Sequence, residues 1–173
     1  MLKEKLAARL EDAFSEYGFA EPSVAQLKTA CDVSLRTLYK YYPSKEAMIV
    51  AALEYRHQRY LAFLTEVTPQ TGIESVLYMF ERLELWMERY APHGCMSLNA
   101  IAAFPDNQVI NLAVKQHKEA VRQLFAKQSG TERRSTELFL LHEGVSNAWP
   151  VIGKEALTSA QNIIVELLSE KSL

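Results

Sequence analysis

Between Ser23 and Lys45 the chain concentrates side chains able to bond a nucleic acid: Ser23, Lys28, Ser34, Arg36, Thr37, Tyr39, Lys40, Tyr41 and Lys45. An arginine can meet a guanine edge with two parallel hydrogen bonds, and a threonine offers a hydroxyl or a methyl group to thymine. Tyr39, Lys40, Tyr41 and Lys45 suit phosphate oxygens, as do the backbone N–H groups of helices that begin near Ser23 and Ser44. Leu35 belongs to the same outward run as Arg36 and Thr37. The whole chain carries a net charge of -2. Contact with a polyanion must therefore come from this local patch and not from the overall field.

A second set of residues has the composition of a small-molecule pocket: Trp86, Tyr90, His93, Cys95, Met96, Asn99, Phe104, His117, His142 and Trp149. Apolar walls with a few polar groups describe such sites. The same aromatics fit equally as ordinary core. Cys95 lies in the run His93-Gly94-Cys95-Met96 just before an expected helix, a place that favours a thiolate. The four histidines have no metal-ligand spacing, so no metal is expected. No Ser/His/Asp set and no phosphate-cradling glycine loop is recognisable, so neither an enzyme nor a cofactor is expected.

Helices must position both sets. Glycines and prolines punctuate the chain at helical intervals, and no hairpin dipeptide or alternating β-branched run appears, so the fold class is all-α. The spacing of Leu6, Leu10, Ala13, Phe14 and Tyr17 predicts a first helix over about Leu2–Tyr17, ended by Gly18. Ser23 with Gln26 forms a capping box for a short helix, and Ser34 caps another that Pro43 stops near Tyr41. Val33 and Leu38 should face inward against Leu27 and Ala30. Ser44 caps a long helix expected to reach Val67. Larger helices follow, at about Ile73–Tyr90, Ser97–Phe104, Asp106–Gln128, Thr131–Trp149 and Lys154–Ser169. Ile73–Tyr90 is apolar nearly all round, which predicts that other helices surround it.

With 173 residues, 49% hydrophobic and 23% charged, the chain is globular and not disordered. Two distant cysteines, no apolar leader and no run long enough to span a bilayer imply a cytoplasmic protein without a membrane partner.

Residues 2–65 resemble the DNA-binding domain of the tetracycline-repressor-like (TetR) family of bacterial transcription regulators. Phe14, Gly18, Ser23, Val24, Leu27, Ala30 and the run from Val33 to Ala47 carry the likeness, above all the pattern V-S-x-x-T-L-Y-x-Y-[FY]-x-S-K-E. The resemblance implies about nine helices, with a helix-turn-helix reader over 1–47 that continues into the connecting helix 44–67. A regulatory, ligand-binding and dimerising domain would fill 48–173. It places Leu35, Arg36 and Thr37 at base-reading positions, and Tyr39, Tyr41 and Lys45 at phosphate positions. A homodimer would set two recognition helices ~34–36 Å apart on a near-palindromic double-stranded operator. A small-molecule effector would release it, making the protein a repressor. Lys28 stands where Ala is usual, Asp32 where Gly is common and Arg36 where many members carry Gly. The first two support the rival reading, a helical ligand-binding or protein-interaction module with a degenerate reader.

Overall fold

The computed structural model describes residues 2–169. Among them lie nine α-helices, one 3-10 turn and no strand. The helices are α1 (Leu2–Tyr17), α2 (Val24–Cys31), α3 (Leu35–Tyr41), α4 (Lys45–Thr65), α5 (Ile73–Tyr90), α6 (Met96–Ala103), α7 (Gln108–Ser129), α8 (Ser135–Ile152) and α9 (Lys154–Ser169). Two compact units result. The first takes the residues up to Arg59 together with Met96–His117. The second takes Tyr60–Cys95 and the residues from Lys118 onward. The division falls inside α4 and inside α7.

In the first unit, local hydrogen bonds fix the helix starts. Gln26 N–H donates to Ser23 Oγ at 3.3 Å while Ser23 N–H donates to Gln26 Oε1 at 2.8 Å, which completes the expected capping box. Thr37 N–H donates to Ser34 Oγ and Ala47 N–H to Ser44 Oγ, each at 3.1 Å. Asp32 takes the left-handed conformation at φ 53°, and its N–H donates to Thr29 O at 3.0 Å. Aspartate tolerates that region better than most residues, so the turn forms without the usual glycine. Leu6, Leu10 and Phe14 of α1 meet Leu27, Leu38, Met48, Ile49 and Leu53 in one core. Met96 and Ala100 of α6 and Ile110 and Val114 of α7 complete it. Burial of each large aliphatic side chain contributes about 1.5–3 kcal/mol.

One ion cluster crosses this core. The Glu11 carboxylate, 3% exposed, accepts from Arg56 at 2.8 Å and from Arg59 at 2.5 Å. The Arg56 side chain is itself only 10% exposed, so its charge depends on that carboxylate.

In the second unit, α5 packs against α9 and α8. It buries Val76, Met79, Phe80, Leu83, Trp86 and Met87, while Glu74, Glu81 and Glu88 stay in solvent. Trp86 also meets Tyr60 of α4 and Phe80 meets Phe125 of α7, so other helices surround α5 as expected, and its acids at seven-residue spacing mark the one stripe left to solvent. Two boundaries also move. α4 stops at Thr65, and Val67 turns to φ 57°. The helix expected over Thr131–Trp149 begins as a 3-10 turn at Glu132–Arg134 and then runs past Pro150 to Ile152. A proline in the last turn removes only one backbone donor, and Gly153 N–H still reaches Trp149 O at 2.9 Å.

Glu11→Ala removes the carboxylate that Arg56 and Arg59 share. Urea denaturation should show a loss of about 3–5 kcal/mol; a loss below 1 kcal/mol would mean that water already compensates the arginine.

Candidate nucleic-acid interface and a buried polar cluster

Helix α3 has seven residues and two faces. Leu38 is 0% exposed and anchors the inner face in the first unit's core. Val33, Thr37 and Tyr41 are half-buried beside it. Leu35, Arg36, Tyr39 and Lys40 are exposed, and their spacing of one, three and one residues makes a single outer stripe. Lys40 Nζ sits 5.9 Å from the Tyr41 ring centroid. The helix carries no acidic residue. Its outer face therefore offers cations, a phenol and an apolar tip with nothing to repel a phosphate.

The neighbouring sequence-predicted residues are placed as follows. Ser23 and Ser34 are exposed, and both act as helix caps. Lys28 is half-buried and lines an open hollow of about 430 Å³ with Thr29, Asp32, Val33 and Ser34. Arg9 steadies the turn from the α1 side, donating to Cys31 O at 2.6 Å. Lys45 donates to Ala20 O at 3.0 Å, and burial pulls its ammonium below the usual lysine range. Tyr42, not Tyr39, is the tyrosine that enters the core: it is 4% exposed, and its hydroxyl donates to Lys3 O at 2.8 Å.

The residues expected to line a pocket are divided between the two units. Asn99 and His117 belong to the first unit. There His117 Nε2 meets Glu54 Oε2 at 2.7 Å, and its ring stacks on His57 at 4.2 Å. Among the described residues no group of three or more His, Cys, Asp or Glu is arranged to hold a metal ion. Trp86, Tyr90, His93, Cys95, His142 and Trp149 belong to the second unit. Trp86 touches Tyr90 at 4.8 Å and Tyr60 at 5.0 Å, and Tyr60 lies 5.8 Å from His142. Trp149 packs on the same core, whereas His93 is exposed.

A buried polar chain starts from that aromatic group. The Tyr60 hydroxyl meets His142 Nε2. His142 Nδ1 lies 2.9 Å from Glu143 Oε1. Both Glu143 oxygens lie 2.8 Å from Lys118 Nζ, and Lys118 Nζ is 3.2 Å from Cys95 Sγ. Burial pushes the imidazolium form of His142 down, so the ring is neutral. With a carboxylate at Nδ1, that nitrogen carries the proton and Nε2 accepts from Tyr60. Burial opposes the Glu143 carboxylate, but the His142 hydrogen bond and the Lys118 charge outweigh it and hold the group down at about 2. Burial also opposes the Lys118 ammonium, yet Cys95 and Glu143 raise it above the usual lysine range. Tyr60, Lys118 and Glu143 were absent from the sequence-derived set. Lys118 sits in a charged helical run and Glu143 is an isolated acid in an apolar one, and no spacing rule links them across two helices.

Comparisons with known proteins bear on the N-terminal part of the chain and on its fold. Residues 7–52 match the family described as "Bacterial regulatory proteins, tetR family". The HTH-type transcriptional regulator UidR of Escherichia coli is 39% identical over 72 residues, which are 42% of this chain and 36% of that protein. The match therefore spans about a third of the length of its curated relatives. Among solved structures, reduced Escherichia coli NemR superposes with a TM-score of 0.80 at 19% identity, covering 99% of this chain and 100% of the other. Salmonella enterica GusR gives 0.71 at 20% identity, covering 96% and 95%. At such identities the likeness establishes the fold.

The polar cluster dictates a pH response. His142 is held below its ordinary value, so the unfolded chain takes up that proton first; the stability it contributes is complete above about pH 6.5 and declines below. Glu143 drops from 4.5 to about 2, so its contribution is lost as pH falls between those values. The thermal midpoint should be flat between about pH 7 and pH 8 and fall in both acid windows, and Glu143→Gln should flatten the lower one. A midpoint that rises on acidification contradicts the assignment.

Proposed function

We infer that this chain, which belongs to the tetR family of bacterial regulatory proteins through its N-terminal domain, is a DNA-binding transcription regulator that represses until a small molecule releases it. The observation that carries the reading is α3, with Leu38 locked inward and Leu35, Arg36, Tyr39 and Lys40 displayed on one uninterrupted outer stripe. Seven residues make a rod of about 10 Å, which suits a major groove roughly 12 Å wide. Arg36 takes the base-reading role with Leu35 and Thr37. Tyr39, Lys40, Tyr41 and the caps at Ser23 and Ser34 meet phosphate. Lys28, beside its hollow, extends that edge. An ammonium has three donors, so the Lys45 bond to Ala20 O leaves capacity for a phosphate oxygen.

Dimerisation follows from α8 and α9. Thr136, Leu140, Gly144, Asn147 and Val151 are all exposed and recur every three or four residues along one face of α8. Leu140 is 62% and Val151 83% exposed. A Cβ added at Gly144 meets nothing within 4 Å, so the middle of that stripe is open to a second helix. On α9, Ile163 is 47% exposed. A twofold pair through these faces covers them, and a twofold regulator matches an operator of two half-sites one duplex turn apart. The effector reading rests on Tyr60, Trp86, Tyr90 and His142, aromatic walls with one neutral imidazole. A ligand that binds better to a DNA-incompetent conformation lowers operator affinity by that difference. The cytoplasm, where the chromosome lies, is the matching compartment.

Fluorescence anisotropy on DNA from the promoter beside its own gene, against scrambled DNA of equal length, tests the regulator. Arg36→Ala should remove about 1–3 kcal/mol of discrimination between the two. Lys45→Ala should weaken both alike and reduce the salt slope by about one. Equal affinity of the unaltered protein for both DNAs sinks the reading. Light scattering should give twice 19.7 kDa for the native chain and 19.7 kDa for Leu140→Glu; a monomeric native chain removes the dimer.

A further inference from the structure

Two helices of the first unit turn an imidazole toward each other. On α4 the core-facing residues Ile49 and Leu53 are followed, four positions on, by His57; on α7 Ile110 and Val114 are followed, three positions on, by His117. Both histidines thus continue faces that are otherwise apolar. Their rings stack with centroids 4.2 Å apart and planes 11° apart. His117 is 7% exposed. Its Nε2 meets Glu54 Oε2 at 2.7 Å, and its Nδ1 is buried with no hydrogen-bond partner among the described residues. With a carboxylate at Nε2, that nitrogen carries the proton, and the Nδ1 lone pair is where a further proton is added.

We propose that the stack of His57 on His117, with Glu54 beside it, is a proton-operated latch between α4 and α7: it stays closed with at most one charged ring and opens when both are protonated. One positive charge is compatible with the geometry, because the Glu54 carboxylate offsets it. The Gln58 hydrogen bond holds that carboxylate below its usual range against the opposing effect of burial, and His117 and His57 add to the lowering. A second charge would face the first across 4.2 Å in a partly desolvated place, and one carboxylate does not offset two cations.

The neighbouring charges are otherwise committed. Arg56 and Arg59, on either side of His57 along α4, share Glu11 of α1. On α7 the Lys118 ammonium pairs with Glu143, and Lys115 is exposed. Helix α6, which packs on the same core, has no ionisable side chain. The direction of the response follows from proton counts. Separated rings each take a proton near the ordinary histidine value of about 6.5. The closed pair takes one and the open pair two, so opening absorbs a proton and acid favours it about tenfold per pH unit below that value.

The test is amide hydrogen exchange by mass spectrometry on the full chain at pH 7.5 and pH 5.5, with rates corrected for the intrinsic effect of pH. Peptides over residues 50–59 and 110–118 should lose protection about tenfold at the lower pH. His57→Phe and His117→Phe each keep a flat ring and give up its proton, so either one should abolish the loss; two histidines acting independently would each remove only part of it. Glu54→Gln, which takes the anion from the closed form, should enlarge it. Equal protection of the unaltered chain at the two pH values overturns the proposal, as does a loss that persists in either folded phenylalanine variant. A loss shared equally by peptides over α9 overturns it too, since that is a global response and not a latch. Should one variant fail to fold, the unaltered chain and the other variant decide. Exchange is read without DNA, so the outcome is separate from that of the regulator reading.

Discussion

A helix of seven residues does not persist by itself in water, because the first turn fixes several dihedrals for a single hydrogen bond. The outer stripe of α3 therefore exists only as far as the inner face is held. Leu38 supplies the grip, closed over by Leu27, Leu10 and Met48 in the same core. Ser34 fixes the start of the helix and Tyr42, bonded to Lys3 O, fixes its end. Every exposed group on α3 inherits its direction from those three restraints. Without them Arg36 and Lys40 would be cations on a flexible loop, with no common axis to lay along a groove.

The same economy governs the turn before α3. Arg9 holds the Cys31 carbonyl, and Asp32 accepts a left-handed backbone that glycine would adopt with less strain. An acidic group at that place sits 89% exposed and 3.7 Å from Arg9, so its charge is offset by a neighbour and screened by solvent. The departure from a glycine turn therefore still lets α2 end and α3 begin.

The second unit is organised by a different constraint. Its apolar core is interrupted by Tyr60, His142, Glu143 and Lys118, and each of these groups is tolerable in the interior only because the next one satisfies it. One neutral imidazole relays between a phenol and a carboxylate, and the carboxylate neutralises the lysine. Removing one member takes a partner from its neighbour, so the groups are coupled. Cys95 stands at the exposed end of that row of groups.

Patterns of residues within one helix were legible in the sequence. The capping box at Ser23, the stop at Pro43, the start of α5 at Ile73 and the motif from Val33 to Glu46 are local, since each depends on side chains a few positions apart and on backbone preferences that hold in any fold. The extension of α8 past Pro150 and the burial of Tyr42 were decided by packing. So was the union of Cys95 with Lys118 and Glu143, which stand 23 and 25 residues from Lys118 along the chain. The sequence by itself determined the helical class and the identity of the reader, because periodicity and caps act within a few residues. Only the tertiary structure decided which charges are buried and which sulfur meets an ammonium. Burial is a property of distant elements brought together, and no pattern along one helix encodes what the next will lay against it.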